Sequence, residues 1–211
     1  MDFLIDTDNA PFATLLFAHG AGAPMDAAVM TKSASAFATA GFRVARFEFA
    51  YMAARRDGQR KPPQKAERLV DEYRAAVATL DVVGPLIVGG KSMGGRVASM
   101  VADELHADGK IAGLLCVGYP FHPPAKPEQL RTGHLQTLTS PTLICQGTRD
   151  PFGRSEEVAG YDLSASIEML WFEDGDHDLK PRKSVSGFTH TDHLATMAGE
   201  AAAWARRISA R

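Results

Sequence analysis

The chain has 211 residues, 45% of them hydrophobic, and a formal net charge of −2 at pH 7. This length supports one well-packed core rather than two, so we expect a single domain over residues 1–211. The near-neutral charge argues against a nucleic-acid partner, and no apolar stretch approaches the roughly 20 residues of a membrane helix. The N-terminal residues lack the pattern of a signal peptide, and both cysteines lie in apolar runs. We therefore expect a cytoplasmic protein with reduced thiols.

Short apolar runs alternate along the chain with longer segments of helical periodicity. In chain order the predicted elements are strand 14–18, helix 25–40, strand 42–47, helix 64–80, strand 84–89, helix 93–105, strands 112–117, 142–145 and 167–172, and helix 190–208. The strands are continuously apolar, which is typical of a sheet covered on both faces. We predict an α/β fold with a mostly parallel central sheet and helices on both faces. Ligands bind such sheets beyond the carboxyl ends of the strands, so candidate site residues are those that follow a strand.

The most informative motif is Gly-Lys-Ser-Met-Gly at residues 90–94, which matches Gly-x-Ser-x-Gly. A buried-type strand runs directly into it and an Ala- and Met-rich segment of helical character follows, as in the turn that exposes a nucleophilic serine. Small residues let such a strained turn close, and the helix N-terminus favours developing negative charge. We predict that Ser92 is a catalytic nucleophile. The alternative is that Ser92 only caps the helix.

A serine hydroxyl needs an imidazole as general base. Of the seven histidines, His177 directly follows the last predicted strand, whereas His190 and His193 open the final helix, where surface or capping roles are more common. His19 follows the first strand and is expected to brace the loop there. We therefore predict that His177 is the general base.

The imidazole needs a carboxylate that holds its tautomer. Asp150 lies a few residues after the strand at 142–145, where its side chain can reach the carboxyl edge of the sheet. The three aspartates within three residues of His177 are too close in sequence to orient its ring easily. We predict that Asp150 is the orienting acid, and the alternative is a turn residue before proline.

An acyl-transfer intermediate carries an oxyanion that needs two preorganised N–H donors. The backbone N–H of Met93 directly follows the nucleophile and is expected to be one of them. The sequence His-Gly-Ala-Gly-Ala at residues 19–23 places small residues after the first strand, so the second donor is expected to be Ala21 or Gly22. A phosphate-binding loop is the competing interpretation, but no Gly-Lys-Ser/Thr follows these glycines at the required spacing.

The order Ser92, Asp150, His177, each after a successive strand region, resembles the α/β-hydrolase superfamily over nearly the whole chain. Four segments carry a narrower resemblance: Arg-Phe-Glu-Phe-Ala-Tyr-Met (46–52), Gly-Gly-Lys-Ser-Met-Gly-Gly-Arg (89–96), Gly-Tyr-Pro-Phe-His-Pro-Pro (118–124) and Gly-Asp-His-Asp-Leu-Lys (175–180). They are similar to a compact branch with testis-expressed and chromatin-complex hydrolase-like proteins and bacterial dienelactone-hydrolase-like proteins. The resemblance implies an α/β-hydrolase fold without a lid domain and an open site for small or flexible acyl substrates. Dienelactone hydrolases proper have a cysteine nucleophile, so Ser92 argues against that particular activity.

We expect a serine hydrolase that cleaves a small carboxylic ester or thioester through an acyl-enzyme, without cofactor or metal. The alternative is a non-catalytic hydrolase-fold protein that serves as an interaction module. Tyr119 and His122 follow a predicted strand and are expected either to contact substrate or to shape a rigid turn.

Two charged features of the sequence each allow two interpretations. Glu48 lies on a strand that should be buried, so it is expected to meet Arg46, Arg96 or a backbone donor, with a place at the floor of the site as the alternative. Lys91 and the basic residues of the segment 180–183 should lie near the mouth of the site. They suggest an acidic substrate, but a solvated charged surface is the preferred interpretation.

Overall fold

The computed structural model describes residues 1–8, 10–59 and 61–210. Within these residues, seven strands form one sheet in the order β1-β3-β2-β4-β5-β6-β7. The strands are β1 (Leu4–Asp6), β2 (Ala13–Ala18), β3 (Phe42–Phe47), β4 (Leu86–Lys91), β5 (Gly113–Val117), β6 (Thr142–Gly147) and β7 (Ile167–Phe172). All neighbouring strands are parallel except β1, which runs antiparallel to β3 at the edge. The predicted mostly parallel sheet is therefore confirmed.

Helices cover both faces of the sheet, as predicted. They are α1 (Ala28–Thr39), α2 (Ala50–Arg56), α3 (Val70–Thr79), α4 (Met93–Ser99), α5 (Ala102–Ala107), α6 (Ser155–Val158), α7 (Lys183–Ser186) and α8 (His190–Ser209). The side chains of Leu15 and Phe17 pack in the core beneath α1 and α8, whereas those of Leu16 and Ala18 pack in the core beneath α3, α4 and α5. Because successive strand residues point to opposite faces, a strand covered on both sides must be apolar throughout.

Two local features differ from the sequence prediction. The strand β1 was not predicted, because three half-exposed residues carry no periodicity that distinguishes them from a loop. The helix predicted over 93–105 is interrupted between α4 and α5. The hydroxyl of Ser99 donates a 2.7 Å hydrogen bond to the carbonyl of Arg96, and the N–H groups of Met100 and Val101 bond three residues back rather than four. Such a side-chain bond to the backbone competes with regular helix hydrogen bonding.

The topology brings the ends of four strands to one edge of the sheet. The strand β4 lies between β2 and β5, with β6 and β7 beyond β5. Parallel strands share the direction in which they end, so the loops after β2, β4, β6 and β7 all open at the carboxyl edge. We call residues 19–27 the β2 loop and residues 173–182 the β7 loop. In the part of the chain that the structure describes, none of the helices has the length and hydrophobicity needed to cross a bilayer.

Candidate active site

Ser92 occupies a strained turn between β4 and α4. Its backbone has φ 52° and ψ −117°, a conformation that residues other than glycine rarely adopt. Backbone strain of this kind costs on the order of 1–3 kcal/mol and persists where the surrounding structure enforces it. Here the N–H of Ser92 donates a 2.9 Å hydrogen bond to the carbonyl of Val117 on β5. Ser92 therefore lies on the sharp strand-to-helix turn that the Gly-x-Ser-x-Gly motif predicts.

Two glycines allow this turn to lie against β2. A Cβ atom on Gly90 would lie 2.6 Å from the carbonyl oxygen of Ala18, and one on Gly94 would lie 2.5 Å from the same oxygen. Neither distance is tolerated by a real side chain, so any larger residue would push the turn away from the end of β2. The small residues of the motif are therefore required by close backbone approach.

His177 lies in the β7 loop and is hydrogen-bonded to Asp150 from the loop after β6. The distance from Nδ1 of His177 to Oδ2 of Asp150 is 2.8 Å, and the side chain of Asp150 is fully buried. A carboxylate only accepts hydrogen bonds, so Nδ1 carries the proton and Nε2 keeps its lone pair. This tautomer is the one that a general base needs.

Asp150 is itself held by two donors. The amide Nε2 of Gln146 donates to Oδ2 of Asp150 at 2.9 Å, and the N–H of Phe152 donates to Oδ1 at 2.9 Å. Gln146 also exchanges two hydrogen bonds with the backbone of Tyr119, which fixes the orientation of its amide. Gln146 was not among the residues predicted from the sequence. Its signal was an amide directly after the apolar run 143–145, four residues before Asp150.

A cavity of about 310 Å³ opens at the carboxyl edge, and both Ser92 and His177 line it. The ring of Phe152 lies against the imidazole of His177, with 4.3 Å between ring centroids and 32° between ring planes. The lining residues are Gly20, Ala21, Gly22, Ala23, Val29, Met30, Lys91, Ser92, Phe152, His177 and Asp178. Most of them are small or apolar, and the polar side chains among them are those of Lys91, Ser92, His177 and Asp178.

Ala21 and Gly22, the two candidates for the second oxyanion donor, both lie in the wall of this cavity. The hydroxyl of Tyr51 donates to the carbonyl of Ala21 at 3.0 Å, and Nδ1 of His19 donates to the carbonyl of Gly20 at 2.6 Å. In a planar trans peptide the N–H points opposite to the carbonyl, so the N–H groups of Ala21 and Gly22 point away from these buried partners. Among the described residues, neither group donates to a protein acceptor, and the N–H of Met93 is likewise free.

His19 braces the β2 loop, as expected. Its Nε2 accepts a hydrogen bond from the N–H of Phe49 at 3.2 Å, while Nδ1 donates to Gly20. Burial lowers the pKa of His19, which keeps the ring in the neutral form that can accept and donate at once. A role for His19 in proton transfer is therefore not supported.

Glu48 lies behind the β2 loop and does not line the cavity. Its carboxylate forms a two-pronged ion pair with Arg56 and accepts the N–H of Met25 at 3.1 Å. Arg46, which pairs with Asp6, donates to the carbonyl of the same Met25 at 2.6 Å. The backbone partner expected for Glu48 is present, and the two charged residues together hold the far end of the loop.

Two predicted substrate contacts are corrected. Tyr119 is fully buried, and its hydroxyl donates to the carbonyl of Arg131 at 3.0 Å. His122 is also buried. Its Nδ1 is hydrogen-bonded to the carbonyl of Pro123, and its Nε2 lies 3.5 Å from Oε2 of Glu157. Neither residue lines the cavity, because both side chains point into the packing of the segment that follows β5. They shape a rigid turn, which was the alternative interpretation.

Lys91 also departs from the preferred interpretation of a solvated charge. Its side chain is only 6% exposed and its Nζ lies 3.2 Å from Oδ1 of Asp178. The last residue of β4 therefore carries a buried ammonium into the wall of the cavity.

The residues that the structure describes hold no group of three or more histidine, cysteine or acidic side chains arranged to bind a metal ion.

The fold and the site define a class of protein. A family model described as an alpha/beta hydrolase domain matches residues 11–206, and the chain belongs to this family. Solved structures of the same fold match it over most of their length. Dienelactone hydrolase from Anabaena variabilis is 19% identical, with a TM-score of 0.69 over 96% of this chain and 89% of that chain. A lidless serine hydrolase from Xanthomonas campestris is 17% identical, with a TM-score of 0.66 over 98% and 88% of the two chains.

A third solved structure has the same architecture. The esterase domain of a Rhodothermus marinus protein is 20% identical, with a TM-score of 0.65 over 97% of this chain and 92% of that chain. These likenesses extend over nearly the whole of each molecule, and at such identities they concern the fold. No lid is evident among the described residues of this chain.

Proposed function

We propose that the protein is a serine hydrolase that cleaves a small carboxylic ester or thioester through an acyl-enzyme on Ser92. The observation that carries the proposal is the chain of contacts around one cavity. Asp150 holds Nδ1 of His177, the ring of His177 lines the cavity, and Ser92 lines the same cavity from a strained turn. Membership of the alpha/beta hydrolase family supports hydrolysis as the reaction class.

In the proposed mechanism, Oγ of Ser92 attacks the substrate carbonyl carbon while Nε2 of His177 takes the hydroxyl proton. The carbonyl electron pair moves to oxygen, and the N–H of Met93 with that of Ala21 or Gly22 stabilises the oxyanion. The intermediate collapses, and the imidazolium gives its proton to the departing alcohol or thiol. Water then attacks the acyl-enzyme by the same steps, which releases the acid and restores Ser92.

The cavity supports a preference for short acyl groups. Its volume of about 310 Å³ is at the lower end of the range typical of small-molecule sites. Val29, Met30 and Phe152 supply an apolar wall, and the small residues of the β2 loop let the substrate carbonyl approach the backbone closely.

A fluorophosphonate probe tests the nucleophile directly, because it forms a covalent bond to an activated serine as fluoride leaves. We expect labelling of the wild-type protein, and loss of both labelling and p-nitrophenyl acetate turnover in a folded Ser92→Ala variant. Ser99→Ala is the matched control, since Ser99 is a buried serine on α4 outside the cavity. Equal labelling of wild type and Ser92→Ala would contradict the assignment. A wild-type protein that neither labels nor hydrolyses any ester or thioester in a chain-length series would favour the interaction module.

A further inference from the structure

Lys91 is a buried cation beside the candidate nucleophile that the mechanism above does not use. It is the last residue of β4, directly before Ser92, and its side chain lines the cavity. Only 5% of the residue is exposed, and Nζ pairs with Oδ1 of Asp178 at 3.2 Å. An ammonium in such a place costs a large desolvation energy unless nearby negative charge offsets it.

The ammonium of Lys91 lies close to the imidazole of His177. A Cβ atom built on Gly118, at the end of β5, would lie 3.0 Å from Nζ of Lys91 and 3.3 Å from Nδ1 of His177. The same atom would lie 2.6 Å from the carbonyl oxygen of His177. The cation and the ring therefore converge on one small space, which stays open only because residue 118 is a glycine. Because Lys91 is buried, water screens its charge only weakly at this distance.

The other charged residues next to His177 in the fold or in the chain are mainly negative. Asp150 approaches from the loop after β6, and Asp176 and Asp178 belong to the β7 loop itself. Arg149 lies 3.7 Å from Asp176 and offsets that carboxylate. The carboxylates of Asp150 and Asp178 are not offset by Arg149. Two carboxylates beside an imidazole favour its protonated form, which cannot act as a base.

We propose that Lys91 is a positioning residue whose ammonium ties the β7 loop to the nucleophile strand and offsets Asp150 and Asp178, so that His177 rests as a neutral base. Burial lowers the pKa of Lys91, and the carboxylates of Asp178 and Asp150 oppose that shift. The role rests on the proposed function, because it concerns the base of that reaction.

The test uses two variants with opposite expected effects on the acidic midpoint of the kcat/KM profile. Lys91→Met keeps an aliphatic stem and removes the cation, so the midpoint should rise by about one pH unit. Asp178→Asn removes a carboxylate and leaves the cation less offset, so the midpoint should fall, by about half a unit because Asp178 is half exposed. The double variant should return towards the wild-type midpoint. Lys180→Met is the matched control, because its exposed ammonium is screened and should shift the midpoint by less than about 0.2 unit.

A purely structural role for Lys91 would lower turnover at every pH and leave the midpoint in place. Midpoints that stay unchanged in Lys91→Met and Asp178→Asn, or that shift in the same direction, would overturn the inference. The proposed function would still stand if turnover depended on Ser92. If wild type shows no Ser92-dependent turnover, the proposed function fails. Titration of His177 through its Cε1–H NMR signal in wild type and both variants then decides the charge effect separately. If Lys91→Met does not fold, Lys91→Gln removes the cation while keeping a polar side chain, and the same rise of the midpoint is expected. An unchanged midpoint in a folded Lys91→Gln variant would overturn the inference.

Discussion

The two loops that line the cavity are held in different ways. The β2 loop places backbone and small side chains in the cavity, and its polar supports, His19 and Tyr51, bind its carbonyls from the buried side. The β7 loop places ionisable side chains in the cavity. Its His177 is hydrogen-bonded to Asp150, and its Asp178 forms an ion pair with Lys91. One wall presents fixed dipoles, and the other presents groups that can change charge.

This difference matches what each wall is proposed to do. Stabilising an oxyanion requires donors that do not reorganise during the reaction, and rigid backbone N–H groups meet that requirement. Moving a proton requires a group with two accessible charge states, which nearby charges can tune. The comparison predicts that damage to the β7 wall acts through protonation, whereas damage to the β2 wall lowers turnover at every pH.

The largest expected effect is loss of the base. His177→Ala should lower kcat/KM by on the order of 10³-fold or more, because no other histidine lines the cavity among the described residues. The measurement is p-nitrophenyl acetate hydrolysis. His106→Ala is the control, since Nδ1 of His106 bonds the carbonyl of Ile111 far from the cavity.

The two histidines at the start of α8 support the β7 loop rather than the cavity. His190 bonds the carbonyl of Asp178 at 2.9 Å, and buried His193 bonds the carbonyl of Leu179 at 2.8 Å. Their alanine variants should cost far less than His177→Ala. A greater loss from either one would move the base to α8.

The second effect concerns the orienting acid. Asp150→Asn should lower turnover by roughly 10²–10³-fold with the fold intact, because an amide lets His177 adopt the tautomer with its proton on Nε2. Wild-type activity should rise with pH, because only a neutral imidazole can accept the proton of Ser92. A near-normal rate in Asp150→Asn would mean that another group orients His177. Activity that is flat from pH 5 to 9 would argue against histidine-based catalysis.

Sequence patterns predicted the sheet, its covered faces and the residues that meet at its carboxyl edge. They succeeded because a parallel sheet fixes where strands end, so Ser92, Asp150 and His177 could each be placed after a strand. Side-chain direction within a loop is not fixed in that way. Tyr119 and Lys91 both lie near a strand end, yet Tyr119 turns into the core and Lys91 turns towards His177. Those outcomes depend on long-range packing, which a local pattern does not contain.

The third effect tests the β2 wall. Tyr51→Phe removes the 3.0 Å hydrogen bond to the carbonyl of Ala21 and keeps the ring, so the peptide that carries the Gly22 N–H becomes less fixed. We expect kcat to fall about 3–10-fold with little change in KM or in the acidic midpoint, a fraction of the loss caused by removing an oxyanion donor. Tyr119→Phe is the matched control, because it removes a tyrosine hydroxyl that binds the carbonyl of Arg131 and not the β2 loop. A shifted midpoint in Tyr51→Phe would break the distinction between the two walls.

The smallest effect concerns the stability of the β7 loop. The carboxylate of Asp174 binds the backbone N–H and the guanidinium of Arg182, and the guanidinium lowers the pKa of Asp174 to about 2. A carboxyl group with a depressed pKa stabilises the fold above its unfolded value, near 3.9, and loses that contribution as pH falls through about 2. The Tm difference between wild type and Asp174→Asn should therefore be constant from pH 5 to 7 and shrink between pH 4 and 2. Glu173→Gln is the control, because Glu173 is exposed and makes no ion pair among the described residues. A Tm difference that stays the same down to pH 2 would mean that Asp174 acts through packing of its backbone turn and not through its charge.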